Sequence, residues 1–240
     1  MSGAAFLSNP LAGPSAGNVN YLGAARCRRR FERFYPDGFV DHTYLVAERA
    51  AKERAHLEWR NELGPGAFRK LLARGEYRQI ADAAVRIEAR TQLLFSFERM
   101  ALRDAVKTPA GARLFATELY ALLWGGESTQ RRFQDWLLAL DDLPRRQARV
   151  ISWPLATVFG FIARPDRHLF MKPRVTQRAA HAYGYDLGYE PRPSWDGYRA
   201  LQTFGTIIRR DLDRHPGFKA RDLIDIQSFI WVQGAAEYDC

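Results

Sequence analysis

Apolar residues recur at helical spacing along almost the whole chain, and Gly or Pro interrupts them at short intervals. The clearest examples are an amphipathic segment over 41–63, which ends at a Gly-Pro-Gly stop, and a segment that begins at Pro109 and ends at Gly125. No segment shows sustained period-two alternation with turns at hairpin spacing, the pattern typical of paired strands. The sequence therefore predicts an all-α fold, a compact multi-helix domain with little or no sheet.

The same interruptions indicate how the chain is organised. Residues 1–20 are rich in Gly, Pro, Ser and Asn and are expected to form a flexible arm, whereas 21–240 form a single all-α domain. Its two closely packed helical lobes have a soft boundary near 125–150, because no long linker separates them. The other predicted helices cover 67–74, 77–90, 91–106, 129–140, 155–163, 173–184, 194–214 and 221–232.

The chain is strongly basic, with a formal net charge of +9 and a sequence pI near 9.8. This charge favours DNA or another polyanion as a partner. A basic cluster that includes Arg28, Arg29 and Arg30 follows the arm and is interleaved with aromatic residues. The competing interpretation is compositional: 31 of the 36 basic residues are Arg, an excess that codon usage in a GC-rich genome also produces.

Cysteine usage and hydropathy indicate the compartment. Cys27 and Cys240 lie near opposite ends without motif spacing, which favours a reducing cytoplasm over a disulfide scaffold. No apolar run approaches the roughly 20 residues of a membrane span, so we expect a cytoplasmic protein with no membrane partner. The sequence has no Gly-rich phosphate loop, no HExxH motif and no Cys–His cluster, and neither a metal nor a cofactor is expected.

Lys172 is the first candidate for chemistry. Pro173 suits the first turn of a helix, where its missing N–H costs nothing, and this places Lys172 at a helix N-terminus. The dipole there favours an incoming anion rather than a lysine charge. Lys172 would then belong to an anion cradle, or act as a reactive amine if burial lowers its pKa; otherwise it snorkels beside solvated arginines. The other members of the cradle would be Arg164, Arg167, His168, Arg174 and Arg178.

The predicted helix over 221–232 places polar side chains among apolar ones. Asp222 is predicted to be its N-cap, and Asp225 and Gln227 follow within an otherwise apolar sequence. An Asp in these surroundings either faces a pocket, with a raised pKa if it is desolvated, or caps a neighbouring helix or pairs with an arginine.

Aromatic side chains form the third candidate set. Trp153 and Trp195 each stand at a predicted helix start, where exposure is favoured and a ring can stack on an unpaired base. Tyr198, Trp231 and Gln227 are further candidates for stacking on a base or lining a pocket. The competing interpretation assigns these rings to the core, where aromatic residues usually lie.

The stretch VISWPLATVFGFIARPDRHLFMKPRVTQRAAHAYG, residues 150–184, combines an apolar helix, a breaker loop and a second helix. It resembles the helix-hairpin-helix DNA glycosylase superfamily, with Lys172 standing where that family has its catalytic aspartate. Residues 153–154 match the family's hairpin turn, 155–163 its apolar helix and 164–166 its breaker loop. Residues 169–171 match the apolar lead-in, 175–184 the following helix and 193–198 the start of a late helix. The family's glycine-rich hairpin turn is missing here.

The resemblance implies an enzyme that flips a base, in particular a modified one, and cleaves its N-glycosidic bond to leave an abasic site. Because lysine replaces aspartate, Lys172 would either attack C1′ of the sugar as an amine or bind a phosphate while Asp225 supplies the carboxylate. Glycosylases of this broad type also occur in bacterial defence, which extends the expectation by analogy to modified phage DNA.

Two other functions fit the same sequence. The first is a non-catalytic helical module that binds DNA or a protein partner within a repair or defence system. The second is a helical scaffold whose Arg content is compositional. Formation of an abasic product separates the enzyme from the binding module, and DNA affinity at physiological salt separates both from the scaffold.

Overall fold

The structure, a computed structural model, describes residues 21–144 and 150–239. Within them it contains helices and no β-strand, which confirms the all-α prediction; the predicted arm over 1–20 lies outside the described residues. The α-helices are α1 (Tyr21–Phe34), α2 (His42–Tyr44), α3 (Ala50–Leu63), α4 (Pro65–Ala73), α5 (Tyr77–Ala89), α6 (Ser96–Ala105), α7 (Pro109–Trp124), α8 (Thr129–Asp142), α9 (Trp153–Ala163), α10 (Pro173–Tyr183), α11 (Trp195–Leu212) and α12 (Leu223–Gly234).

Capping residues account for many of the helix starts. The side chains of Ser194 and Asp222 accept backbone N–H groups in the first turns of α11 and α12, as the sequence predicts. Pro173 is the first residue of α10, and Lys172 stands at its N-cap position. These caps compensate for the N–H groups that the first turn of a helix leaves without partners.

Two local features differ from the sequence-based prediction. The helix predicted over 91–106 begins only at Ser96, because the Glu88 carboxylate accepts the N–H of Leu94 and the chain forms a loop at 90–95. Gln92 in this loop has a left-handed φ of 58°. In addition, the helix predicted over 41–63 contains a π-helical turn over Leu45–Arg49 between α2 and α3.

Helix α9 lies at the centre of the packing. All eleven of its residues are buried, and it contacts α3, α5, α7 and α8. Phe159 on α9 packs against Trp59 of α3 and Phe115 of α7, with ring centroids 6.1 and 5.3 Å apart. Helices α1, α10 and α12 pack against one another. This arrangement positions the loop between α9 and α10, which carries most of the predicted cradle.

Among the described residues, no helix combines the length and the apolar character that crossing a membrane would require.

Candidate functional site

Lys172 is bound within the protein. Its Nζ donates a hydrogen bond to the carbonyl oxygen of Leu93 at 2.8 Å and lies 3.3 Å from the centroid of the Phe95 ring. Only 7% of the residue is exposed. Burial lowers the pKa of Lys172 below its ordinary value, and the nearby Glu98 and Glu88 charges oppose that shift. The amine therefore contacts the 90–95 loop, and its proton is easier to remove than that of a surface lysine.

Asp225 is buried in an ion-pair network. Its carboxylate accepts hydrogen bonds from the Tyr44 hydroxyl at 2.5 Å, from the Arg49 guanidinium at 2.9 Å and from the backbone and side chain of Arg221. Burial alone would raise the pKa of Asp225, but the bonds from Arg221 and Tyr44 and the Arg49 charge leave it below its ordinary value. The pKa of Asp225 is therefore lowered, whereas its apolar neighbours in sequence suggested a raised one.

The hydrogen bonds of Lys172 and of Asp225 have no residue in common. Lys172 bonds to the loop before α6, whereas Asp225 bonds to Tyr44, Arg49 and Arg221. Neither side chain lines any of the four main surface grooves in the described part of the chain. These contacts connect the two residues to different parts of the fold and give no support to a joint catalytic role.

The candidate stacking residues differ in their exposure, and two of them are buried in the core. Trp153 is buried and its indole N–H donates to the Glu190 carbonyl oxygen at 2.7 Å. Tyr198 is buried with its ring stacked on Phe133 at 4.0 Å between centroids. Both rings belong to the core. The remaining candidates are the half-buried Trp195 and Trp231 and the buried Gln227, whose amide has no hydrogen-bond partner among the described residues.

Three of the predicted DNA-binding arginines form bonds near the C-terminal tail or α11. Arg30 and Arg178 both contact Asp239, at 3.0 and 2.7 Å, and Arg28 pairs with Asp211 at 2.5 Å. These side chains connect α1 and α10 to neighbouring elements. The two that are exposed without an ion-pair partner in the described part of the chain are Arg29 and Arg174.

The predicted arginines of the α9–α10 loop form a different arrangement. Arg164 binds Asp166 at 3.1 Å, and Arg167 reaches the same carboxylate at 3.4 Å. Arg132 on α8 is close enough for the Arg164 and Arg167 charges to lower its pKa, after burial, which is the larger cause. Its Nε is buried without a partner among the described residues. Asp166 therefore binds two of the three guanidinium groups, and the cluster keeps an excess of positive charge.

A neutral histidine lies beneath these arginines. His168 is buried, and its Nδ1 forms a 2.6 Å hydrogen bond with the Tyr198 hydroxyl. Burial, followed by the Arg164 and Arg132 charges, lowers the pKa of His168 to about 4. Gly160 allows the close approach, since a Cβ there would lie 3.0 Å from the His168 ring. The imidazole is uncharged at neutral pH and adds no positive charge to the loop.

Two surface grooves meet at Asp166 and extend the excess charge. One runs past Arg60 and Arg164, the other past Arg167, Arg209 and Arg210. The other carboxylates that line them are Asp213 and Asp222, of which Asp222 already binds the buried Arg49. We call this surface the Asp166 basic face. Its six arginines are Arg60, Arg132, Arg164, Arg167, Arg209 and Arg210.

Sequence reasoning identified only Arg164 and Arg167 of this face. Arg132 and Arg60 come from α8 and α3, and Arg209 and Arg210 from the last turn of α11. The basic last turn of α11 was a local signal, but only packing brings the other helices to the loop. Among the described residues, no group of three or more His, Cys, Asp and Glu side chains is arranged to bind a metal ion.

Comparison of the chain with models of protein families, with curated proteins and with solved structures finds no match in any of the three.

Proposed function

We propose that this chain is a helical nucleic-acid-binding protein that contacts the phosphate backbone of DNA through the Asp166 basic face. The observation that carries the proposal is the cluster of Arg132, Arg164 and Arg167, in which the carboxylate of Asp166 binds Arg164 and Arg167 and leaves the charge of Arg132 unbalanced. Guanidinium groups bind phosphate oxygens in bidentate geometry, and a phosphate would supply the negative charge that this cluster lacks.

The positions of these arginines suit a rigid anion site. Arg132 donates to the Leu122 carbonyl oxygen at 2.9 Å and Arg164 to that of Leu123 at 3.2 Å. Both groups are therefore oriented by the C-terminal turn of α7 before a ligand arrives, which reduces the entropy lost on binding. Arg167, by contrast, has 63% of its side chain exposed and is free to follow a phosphate.

The distribution of ion pairs favours this face over another basic groove. A groove between α5 and α6 is lined by Arg78, Arg86, Arg99, Arg103 and Lys107. Four of these five bind carboxylates of Asp82, Glu58, Glu62, Glu88 or Asp104. Its charge is largely balanced internally, whereas Arg60 and Arg210 of the Asp166 basic face have no ion-pair partner among the described residues.

Variants at the exposed arginines test the proposal. Binding of a fluorescent DNA duplex would be compared between the wild-type protein and Arg167→Ala/Arg210→Ala, which removes two charges from the face. The matched control is Arg69→Ala/Arg113→Ala, which removes two exposed arginines of α4 and α7. We expect the first variant to bind more weakly and the control to bind as the wild type does. Equal binding by all three proteins would overturn the assignment of this face.

Base excision is the second candidate function, and the lowered pKa of Lys172 favours it. A nucleophilic amine must be unprotonated, and burial at a helix N-terminus promotes that form. The amine would have to leave the Leu93 carbonyl oxygen and the Phe95 ring to reach C1′ of a flipped nucleotide, so we propose that the 90–95 loop moves in any such reaction.

An abasic-site assay tests the excision hypothesis. The protein would be incubated with unmodified genomic DNA, deaminated or alkylated DNA, and hypermodified phage DNA, and abasic sites detected with an aldehyde-reactive reagent. A product formed by the wild type and lost in Lys172→Ala would support excision. Absence of product on all substrates, with DNA binding retained, would leave the chain as a binding module. Asp225→Ala is a poor probe here, because removing this buried carboxylate takes the acceptor away from the buried Tyr44 hydroxyl and one partner away from Arg49, and so threatens the fold itself.

A further inference from the structure

Phe95 and Phe97 form an exposed, stacked pair beside α6. Their ring centroids are 5.5 Å apart with an interplanar angle of 16°, and the residues are 53% and 64% exposed. Among residues whose side chains the structure describes, no other Phe, Tyr or Trp is exposed. Most aromatic pairs of the core are tilted or edge-to-face, whereas this exposed pair is nearly parallel.

Several hydrogen bonds hold the backbone of the loop that carries Phe95. Gln92 adopts a left-handed φ of 58°, which costs energy for any residue with a Cβ. The Glu88 carboxylate accepts the N–H of Leu94 and pairs with Arg99 at 2.7 Å, and the Thr91 hydroxyl accepts the N–H of Leu93. Several hydrogen bonds therefore hold a strained backbone conformation in which both rings are exposed.

Contacts with both the ring and the backbone of Phe95 orient its side chain. Lys172 Nζ lies 3.3 Å from its centroid, which places a cation against one ring face. The backbone N–H of Phe95 donates to Glu98 at 3.0 Å, and Glu98 in turn accepts the Ser152 hydroxyl at 2.9 Å. Lys172, which the resemblance placed at a catalytic position, therefore orients an exposed ring.

One cation without an ion-pair partner in the described part of the chain, Arg103, lies on the same helix as Phe97. Met100, Arg103 and Lys107 continue the exposed side of α6 and its C-terminal end beyond Phe97. Arg103 has no ion-pair partner among the described residues, and it lines the groove between α5 and α6 together with Arg99 and Lys107. The apolar part of the surface is small, comprising Phe95, Phe97 and Met100, and a cation lies at its edge.

We infer that Phe95 and Phe97 form a stacking platform for an unpaired base of single-stranded nucleic acid, with Arg103 contacting the adjacent phosphate. This inference rests on the proposed function and specifies its ligand as a strand with unpaired bases. Exposed rings combined with nearby cations are the recurring elements of single-strand binding, because every base has a face that stacks. An apolar partner surface would require a wider patch than two rings and one methionine.

The experiment uses an oligodeoxythymidylate of about 12 nucleotides, within the usual range of site sizes, with one 2-aminopurine as a fluorescent base. Phe97→Ala removes an exposed ring, Phe97→Leu keeps an apolar side chain without a stacking face, and Phe97→Trp keeps the ring. Leu138→Ala is the matched control, since Leu138 is 62% exposed on α8. We expect Phe97→Ala and Phe97→Leu to lose roughly five- to hundredfold in affinity and the 2-aminopurine signal. Phe97→Trp and Leu138→Ala should retain both.

The outcomes separate the platform from the basic face. Arg167→Ala/Arg210→Ala weakens duplex and single-strand binding alike, whereas Phe97→Ala leaves duplex binding unchanged. Full single-strand affinity in Phe97→Ala, or full affinity in Phe97→Leu, would overturn the platform while the basic face stands. Failure of the wild type to bind either nucleic acid would overturn both. Phe97-dependent sedimentation with phosphatidylglycerol vesicles, without a 2-aminopurine signal, would assign the pair to a lipid surface and also overturn the platform.

Discussion

Arg49 and Asp225 form a buried ion pair at 2.9 Å, with 5% and 0% of their side chains exposed. The pair joins the π-helical turn to α12, because Arg49 ends that turn and Asp225 lies in the first turn of α12. Tyr44 and Arg221 complete the coordination of the carboxylate. A network of this kind connects elements that are far apart in sequence, and its contacts are structural.

Loss of the Asp225 carboxylate should destabilise the fold strongly. We expect Asp225→Ala to lower the free energy of unfolding by about 3–5 kcal/mol, because the Tyr44 hydroxyl and one N–H group of Arg49 would stay buried without an acceptor. Glu53→Ala removes another partner of Arg49 whose side chain is 46% exposed, and should cost less than about 1 kcal/mol. Urea denaturation of both variants measures the difference, and equal small losses would argue against a buried network.

The neutral state of His168 predicts a dependence of stability on pH. The folded protein holds the pKa of His168 at about 4, whereas an unfolded histidine titrates near about 6.5. The unfolded chain therefore binds the proton first, and His168 contributes a loss of stability as the pH falls from about 6.5 towards 4, of roughly 3 kcal/mol in all. Above about pH 7 the imidazole is neutral in both states, and this loss of stability is absent.

Replacement of His168 provides the check. The His168→Gln variant should have a flatter curve of unfolding free energy between about pH 6.5 and 4 than the wild type. His181→Gln, at an exposed position on α10, is the control and should follow the wild-type curve. A wild-type curve as flat as that of His168→Gln would contradict the lowered pKa of His168 in the folded protein.

The strained loop predicts a stabilising substitution. Gln92→Gly removes the Cβ from a left-handed residue, and we expect a gain of roughly 0.5–1 kcal/mol in the free energy of unfolding. Gln79→Gly, in the first turn of α5, should instead lose up to a similar amount. Thermal denaturation measures both, and destabilisation by Gln92→Gly would contradict the strain assigned to the loop.

The helices could be predicted from the sequence because their signals are local. Asp222 and Ser194 lie at helix starts and accept N–H groups as caps. Pro173 lies at a helix start where a missing N–H is tolerated. The loop before α6 could not be predicted in the same way. Glu88 binds a backbone N–H six residues further on and also binds Arg99, and helical periodicity does not register such a contact.

The candidate site was predicted less completely, because charge balance depends on packing. The sequence left open whether Asp225 faces a pocket with a raised pKa or pairs with an arginine. The structure shows the pairing, and bonds from Arg221 and Tyr44 together with the charge of Arg49, which lies 176 positions away, lower the pKa instead. Arg132 was missed for the same reason, since it meets Arg164 only through the packing of α8 beside the α9–α10 loop. The basic character of that loop, with Arg164 and Arg167, was visible in the sequence.

The salt dependence of DNA binding shows whether the Asp166 basic face binds nucleic-acid phosphates. Affinity for a labelled duplex would be measured between about 50 and 200 mM salt for the wild type, for Arg167→Ala/Arg210→Ala and for the control Arg69→Ala/Arg113→Ala. We expect log affinity to fall linearly with log salt. Each lost phosphate contact should make the slope shallower by about 0.9, in the first variant alone. Negligible wild-type affinity, or the wild-type slope in Arg167→Ala/Arg210→Ala, would contradict phosphate binding by this face.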